Sequence, residues 1–179
     1  YLINFFINKN EIFFLNFYKE KNNYFSNKIS YIQNDIRQSI FKENYFDVIT
    51  AISVIEHIGH DNSSYNNESK KISLKQNTKY AKAILEIKRI LKKRGKFYLT
   101  LPFGKKQKFK NYIQFDNVEV KKLIKIFNPS KYIIDYYVFD ISEIKWKKTT
   151  LKGCTNIKAK SSGSTGICSN AVALIEMSK

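Results

Sequence analysis

The residues best able to do chemistry are few and lie in two short stretches. Glu56 and His57 are adjacent, and Ser53 stands three positions before the glutamate. Histidine changes charge near neutral pH, so His57 is a candidate general base. The other reading of the pair is structural, with both side chains bonding backbone groups to fix a loop. Asp35 lies just beyond a short apolar run. A carboxylate at the carboxyl edge of a strand can accept an N–H from a bound ring, although an aspartate in a loop also forms turns. His60 reads as a surface residue. Cys154 and Cys168 are too few for a disulfide framework, and their spacing fits no zinc pattern, so reduced thiols in a cytoplasmic protein are expected.

The elements that must position these residues can be read from the apolar pattern. Residues 11–17 (EIFFLNF) and 29–33 (ISYIQ) suit short strands, joined by a polar, Asn-rich loop over 19–28. Residues 46–53 (FDVITAIS) form a near-continuous apolar run, the mark of a strand buried on both faces of a parallel sheet. A polar loop over 60–71 follows, then a helix over about 74–92. In that helix Ala81, Ile84, Leu85, Ile87 and Leu91 fall largely on one stripe. Gly95 stands where a helix-terminating glycine belongs, and Lys96–Leu101 (KFYLTL) is a strand stopped by Pro102.

Residues 103–114 read as a basic loop. A second helix over 116–127 has Asp116 as N-cap and Glu119 three residues on. Strands over 131–139 and 170–177 close the chain with no helix between them, so an antiparallel pairing satisfies their order. The connection over 153–169 contains SSGSTG and is expected to be mobile. Trp146 and the tyrosines near 136 are expected in the core. The whole order is that of an α/β fold, a mostly parallel sheet with flanking helices and an antiparallel C-terminal strand hairpin. One domain is expected over residues 1–179, with 1–28 a poorly defined N-terminal segment and 29–179 the core.

Composition narrows the function classes. With 179 residues, 43% of them hydrophobic and 15% aromatic, the chain is long and apolar enough for a packed core, which excludes disorder. No apolar run reaches the roughly 18–20 residues that a membrane span needs. The formal net charge of +17 attracts polyanions, so a basic nucleic-acid-binding module is one alternative. Against it, the lysines are spread along the chain, and the aromatics fall at strand and helix core positions.

Three segments together resemble a class I S-adenosylmethionine-dependent methyltransferase of the type 11 group. They are Tyr31–Phe41 (YIQNDIRQSIF), Phe46–Gly59 (FDVITAISVIEHIG) and Ala83–Gly104 (AILEIKRILKKRGKFYLTLPFG). The resemblance implies a Rossmann-like sheet and S-adenosylmethionine as cofactor. It carries cofactor contacts to Asp35, Ile36, Ser53 and Glu56, and gives Asp35 the adenine amino group. His57 then lies beside cofactor and substrate, as a base or as a pocket-lining residue. Asn16 occupies the place of the family's acidic ribose ligand.

The turn Leu91–Gly95 departs from the family's usual Leu-Lys-Pro-Gly-Gly, with Gly95 left to take the left-handed conformation. A larger departure is that no glycine occurs before Gly59, so the first strand and its glycine-rich cofactor loop are missing from this sequence. The chain is therefore expected to be a fragment or a degenerate, non-catalytic relative, binding the cofactor weakly. An aromatic series through Phe115, Tyr136-Tyr137 and Trp146 is similar to a bacterial subgroup placed beside glycan-modifying genes. It implies a small-molecule or glycan-precursor acceptor.

Overall fold

The computed structural model describes residues 11–17, 29–60, 79–161 and 167–179. Two units divide the chain after Ile40.

In the first unit, strands β1 (Ile12–Asn16) and β2 (Ile29–Gln33) pair in parallel, from Ile12 opposite Ile29 to Asn16 opposite Gln33. Phe14 and Tyr31 stack across the pair with ring centroids 5.5 Å apart, the kind of cross-strand contact that fixes register. Asn34 N donates to Asn16 O at 2.9 Å, extending the ladder one step past β2. A single 3-10 turn, Ile36–Gln38, follows.

The second unit is built on one five-stranded sheet. Its elements run β3 (Phe46–Ile52), a 3-10 turn (Ile55–His57), α1 (Lys79–Ile90) and β4 (Leu91–Pro102). A short ribbon of β5 (Gln107–Lys108) and β6 (Ile113–Gln114) comes next, then α2 (Asn117–Phe127), β7 (Lys131–Asp140) and β8 (Lys145–Thr149). The chain continues through α3 (Leu151–Cys154), the two-residue strands β9 (Lys160–Ser161) and β10 (Ile167–Cys168), and β11 (Ala171–Ser178).

The sheet order is β3-β4-β11-β7-β8. β3 and β4 are parallel, and β11 is antiparallel to both β4 and β7. The antiparallel pairing expected of the last apolar runs is thus present, with Ala171 opposite Val138. β8 extends it as a hairpin partner of β7. Its sequence KWKKT hides it, because lysines on an edge strand break the apolar alternation that marks a strand.

One sheet face is the core. Phe97, Leu99 and Leu101 of β4 lie opposite Met177, Ile175 and Ala173 of β11, and all six side chains are buried. Ala83, Ile84 and Ile87 of α1 are buried with them, as are Val120, Leu123 and Phe127 of α2. Phe97 meets Phe127 at 5.6 Å. The other face presents Val48, Ile52 and Leu174, each more than a third exposed, beside a Lys96–Glu176 ion pair.

Several boundaries differ from the sequence reading for identifiable reasons. The expected helix over 74–92 ends at Ile90, and Leu91–Lys93 already belong to β4; residues 74–78 lie outside the described residues. Its last carbonyls are taken from outside the helix, Arg89 O by Asn44 N at 3.0 Å and Ile90 O by Tyr45 N at 2.8 Å. The left-handed residue is Arg94 (φ 63°), inside β4, and not Gly95. Backbone bonds from Arg94 N to Lys179 O and from Lys179 N to Gly95 O tie this part of β4 to the end of β11. Gly95 is required for closeness instead, since a Cβ there would sit 2.8 Å from Lys92 O.

The second helix begins as expected, with the Asp116 carboxylate accepting from Glu119 N at 2.8 Å. Trp146 is not a core residue. It stands on β8 nearly half exposed, edge-on to Phe139. The basic stretch over 103–114 is a paired ribbon and not a plain loop. The expected loops over 19–28 and 61–71, and the SGSTG run, lie outside the described residues.

Candidate functional site

The second unit gathers Ser53, Glu56 and His57 at the carboxyl end of β3. Ser53 turns the chain there with φ 53°, a left-handed conformation that costs a non-glycine residue about 1 kcal/mol. Two hydrogen bonds hold it. Its backbone N–H donates to Thr100 Oγ1 of β4 at 3.0 Å, and its hydroxyl donates to Glu56 Oε1 at 2.6 Å. The 3-10 turn then carries Glu56 inward, where its side chain is only 2% exposed.

Oε2 of Glu56 is buried and has no hydrogen-bond partner among the described residues. Burial pushes the carboxyl above its usual range. The Ser53 hydroxyl, a backbone hydrogen bond and the neighbouring His57 oppose that rise without cancelling it. A buried acceptor left unbonded is costly and rare, and is expected where a proton, a water or a ligand group completes the site.

His57 Nδ1 lies 2.8 Å from Asn111 O. A carbonyl only accepts, so Nδ1 carries the hydrogen, and in the neutral ring the lone pair is on Nε2. Nε2 is 4.0 Å from Glu56 Oε1. The Tyr112 ring lies 5.9 Å from the imidazole, and Phe109 stacks on Tyr112 at 4.6 Å. The β5–β6 ribbon therefore anchors His57 to a backbone carbonyl. The motif alone suggested bonding to backbone amides.

Beyond β4, Phe103 N donates to Ala171 O and Gly104 N to Phe115 O, both at 2.9 Å. Gly104 has φ 145°, and a Cβ on it would lie 2.1 Å from Ile157 O. The space is already filled by the chain itself. Gln114, fully buried, fixes this corner by donating to Lys105 O and Ile157 O, each at 2.9 Å, and accepting from Ser169 Oγ. Thr100, Asn111 and Gln114 were not singled out from the sequence, because their contacts reach from 9 to 55 residues along the chain and no local spacing marks them.

In the first unit, Asn16 and Asp35 both stand at the carboxyl edge of the β1–β2 pair, and Ile36 opens the 3-10 turn. The Asp35 carboxylate caps that turn through Arg37 N at 2.9 Å and meets the Arg37 guanidinium in a forked ion pair. Burial alone would raise its pKa. Hydrogen bonds from the Arg37 side chain and backbone, with the guanidinium charge, outweigh burial and hold it below the usual carboxylate range. The turn-forming role is thus realised, and the side chain remains 31% exposed.

Among the described residues there is no cluster of three or more potential metal ligands. None of their helices is long and apolar enough to cross a membrane.

A mixed sheet with helices, and polar side chains just past the carboxyl end of its strand β3, has the architecture of Rossmann-like folds, which take ligands at that edge. The family model of a methyltransferase domain matches residues 14–99, just under half of the chain. Among solved structures the chain is similar to a SAM-dependent methyltransferase of Thermotoga maritima. The two are 15% identical, with 86% of this chain and 65% of that one covered and a TM-score of 0.52. It is also similar to the 1,6-didemethyltoxoflavin-N1-methyltransferase of Burkholderia thailandensis, whose structure holds 1,6-didemethyltoxoflavin and S-adenosylhomocysteine. There the identity is 9%, coverage is 94% and 61%, and the TM-score is 0.54. The chain spans less than two thirds of either protein's length. No curated protein matches its sequence.

The cofactor these relatives imply was set against the residues present. Toward the adenosine half, the first unit has the part-exposed carboxylate of Asp35, already bonded by Arg37, and Asn16 on the same edge. Toward the methionine half, the first glycine of this sequence is Gly59. A backbone approached that closely by a ligand needs residues without Cβ atoms.

Proposed function

We propose that the chain serves S-adenosylmethionine-dependent methyl transfer to a small-molecule acceptor, as a single methyltransferase domain over residues 1–179. Asp35, Ile36 and Asn16 contribute to the adenosine side. Ser53 and Glu56 shape the edge of β3, and His57 offers Nε2 as proton acceptor beside it. When bound, the cofactor supplies a methyl group on a good leaving group, so the protein's task is to hold acceptor and donor close and in line.

The observation that supports this reading is the placement of Asp35 and of Ser53–Glu56 just past the carboxyl ends of parallel strands, together with the family match over residues 14–99. The lack of glycine before Gly59 adds that the grip is weak at the methionine end.

Calorimetric titration with S-adenosylhomocysteine tests both parts. Weak saturable binding is expected, with adenosine accounting for most of it and Asp35→Ala removing it. Micromolar affinity would overturn the weak grip. No saturable binding of either compound would sink the cofactor reading and leave a non-catalytic relative of the family.

A further inference from the structure

Arg37 directs more donors at Asp35 than an ion pair needs, and their number limits what else the carboxylate can hold. Oδ1 accepts from the Arg37 backbone N and from Nε, each at 2.9 Å. Oδ2 accepts from Nη2, and Nε also reaches it at 3.0 Å. Nε carries a single hydrogen, so the backbone N, Nε and Nη2 bring three hydrogens to the two oxygens. An ionised carboxylate offers about four acceptor positions. One is left, and it belongs to Oδ2, since Oδ1 already takes two donors. The side chain is 31% exposed, so a ligand can reach it.

Charge decides what that position takes. Burial raises the Asp35 pKa, and the hydrogen bonds and charge of Arg37 outweigh it, so the group is an anion with no hydrogen to give. Among the described residues no second charge acts on it. Asn16 and Gln33, which end the two paired strands, carry amides, and Arg37 lies in the turn that Asp35 caps. Without the Arg37 side chain, burial and one backbone hydrogen bond remain. Burial is the larger of the two and moves the carboxyl above its usual range.

We propose that Arg37 sets the specificity of this edge: it fills all but one acceptor position on Asp35 and keeps the carboxylate an acceptor only, so that a 6-amino purine is taken and a 6-oxo purine refused. The assignment rests on the adenosine reading of Asp35 given above. Arg37 acts through Asp35 and is a positioning residue. An exocyclic amino group donates one N–H into the open position. A carbonyl oxygen set there faces an anion with no hydrogen between them, and it gives up its bonds to water without replacement.

The test is titration of the full chain with adenosine and with inosine at pH 7 and pH 4, followed by the amide chemical shifts of residues 33–38. Wild type is compared with Arg37→Met and Arg37→Lys, and the Phe14–Tyr31 ring contact reports in each that β1 and β2 stay paired. Wild type is expected to favour adenosine about tenfold at both pH values, the scale of one hydrogen bond to a charged acceptor. In Arg37→Met the preference is expected to shrink to about threefold or less at pH 4, where a protonated Asp35 donates to the inosine carbonyl. Arg37→Lys keeps the charge without the fork and is expected to recover part of the preference at pH 4. An equal preference at pH 4 in wild type and Arg37→Met overturns the proposal and leaves Arg37 a turn-forming residue. So does loss of the Phe14–Tyr31 contact in both variants, which makes Arg37 a part of the fold and not of recognition. If the adenosine reading itself is wrong, wild type binds neither nucleoside, or binds both alike at pH 7, and the proposal falls with it.

Discussion

At the scale of single residues, Glu56 holds the least settled chemistry in the molecule. Its Oε1 is satisfied by Ser53, its Oε2 is buried without a partner among the described residues, and burial raises its pKa. The folded state therefore holds a proton that the unfolded chain releases near pH 4.3. Stability contributed by this group falls as pH rises from there through the raised value, because the native state binds more protons in that window. Glu56→Gln keeps an acceptor for the Ser53 hydroxyl and removes the ionisation. It is expected to stabilise the fold by about 1 kcal/mol at pH 8 relative to wild type, and by less at pH 4. Urea unfolding at the two pH values checks this, and a larger gain at pH 4 would contradict it. Ser53, Glu56 and His57 were legible as a group because they are nearly contiguous in sequence. What each of them bonds was not, since Thr100 and Asn111 are brought in by the sheet and the ribbon.

At the scale of elements, the irregular start of β4 shows how far a familiar pattern carries. Glycine at position 95 announces a turn, but what stands there is a stretch of β4 whose register against β3 shifts. The residue with positive φ is Arg94, because the backbone bonds to Lys179 set the geometry one position earlier. Arg94→Gly is expected to stabilise the fold by up to about 1 kcal/mol, the scale of left-handed strain in a residue with a Cβ. Gly104→Ala should do the reverse. Its Cβ would collide with the Ile157 carbonyl at a backbone angle unsuited to alanine, and a loss of about 2 kcal/mol or more is expected. Thermal unfolding of the two single variants gives the comparison, and equal midpoints would refute it. The helices and apolar strands were legible from their periodicity. β8 and the β5–β6 ribbon were not, because lysine-rich edge segments carry no apolar alternation and are defined only by their partners.

At the scale of the whole molecule, the second unit's sheet has a strong middle and weak margins. β11 bonds to β4 on one side and β7 on the other, and its Ala171, Ala173, Ile175 and Met177 are all buried. Among the described residues β3 and β8 each have one sheet neighbour, and both show exposed side chains. Native-state hydrogen exchange should rank the amides accordingly, slowest in β11 and β4 and faster in β8 by an order of magnitude or more, since local opening is cheapest where few buried contacts resist it. Uniform protection across the five strands would show that the sheet opens only as one body.

The place of β11 bears on how the protein is made. A ribosome delivers β3, β4, β7 and β8 before Ala171–Ser178 emerges, yet this later segment separates the β3–β4 pair from the β7–β8 hairpin. During elongation those two halves have no shared strand, and β4 and β7 each offer an unsatisfied edge to any neighbour that can pair with it. Assembly of the sheet therefore waits on residues 171–178, and a nascent chain stalled short of them carries two half-sheets with open edges.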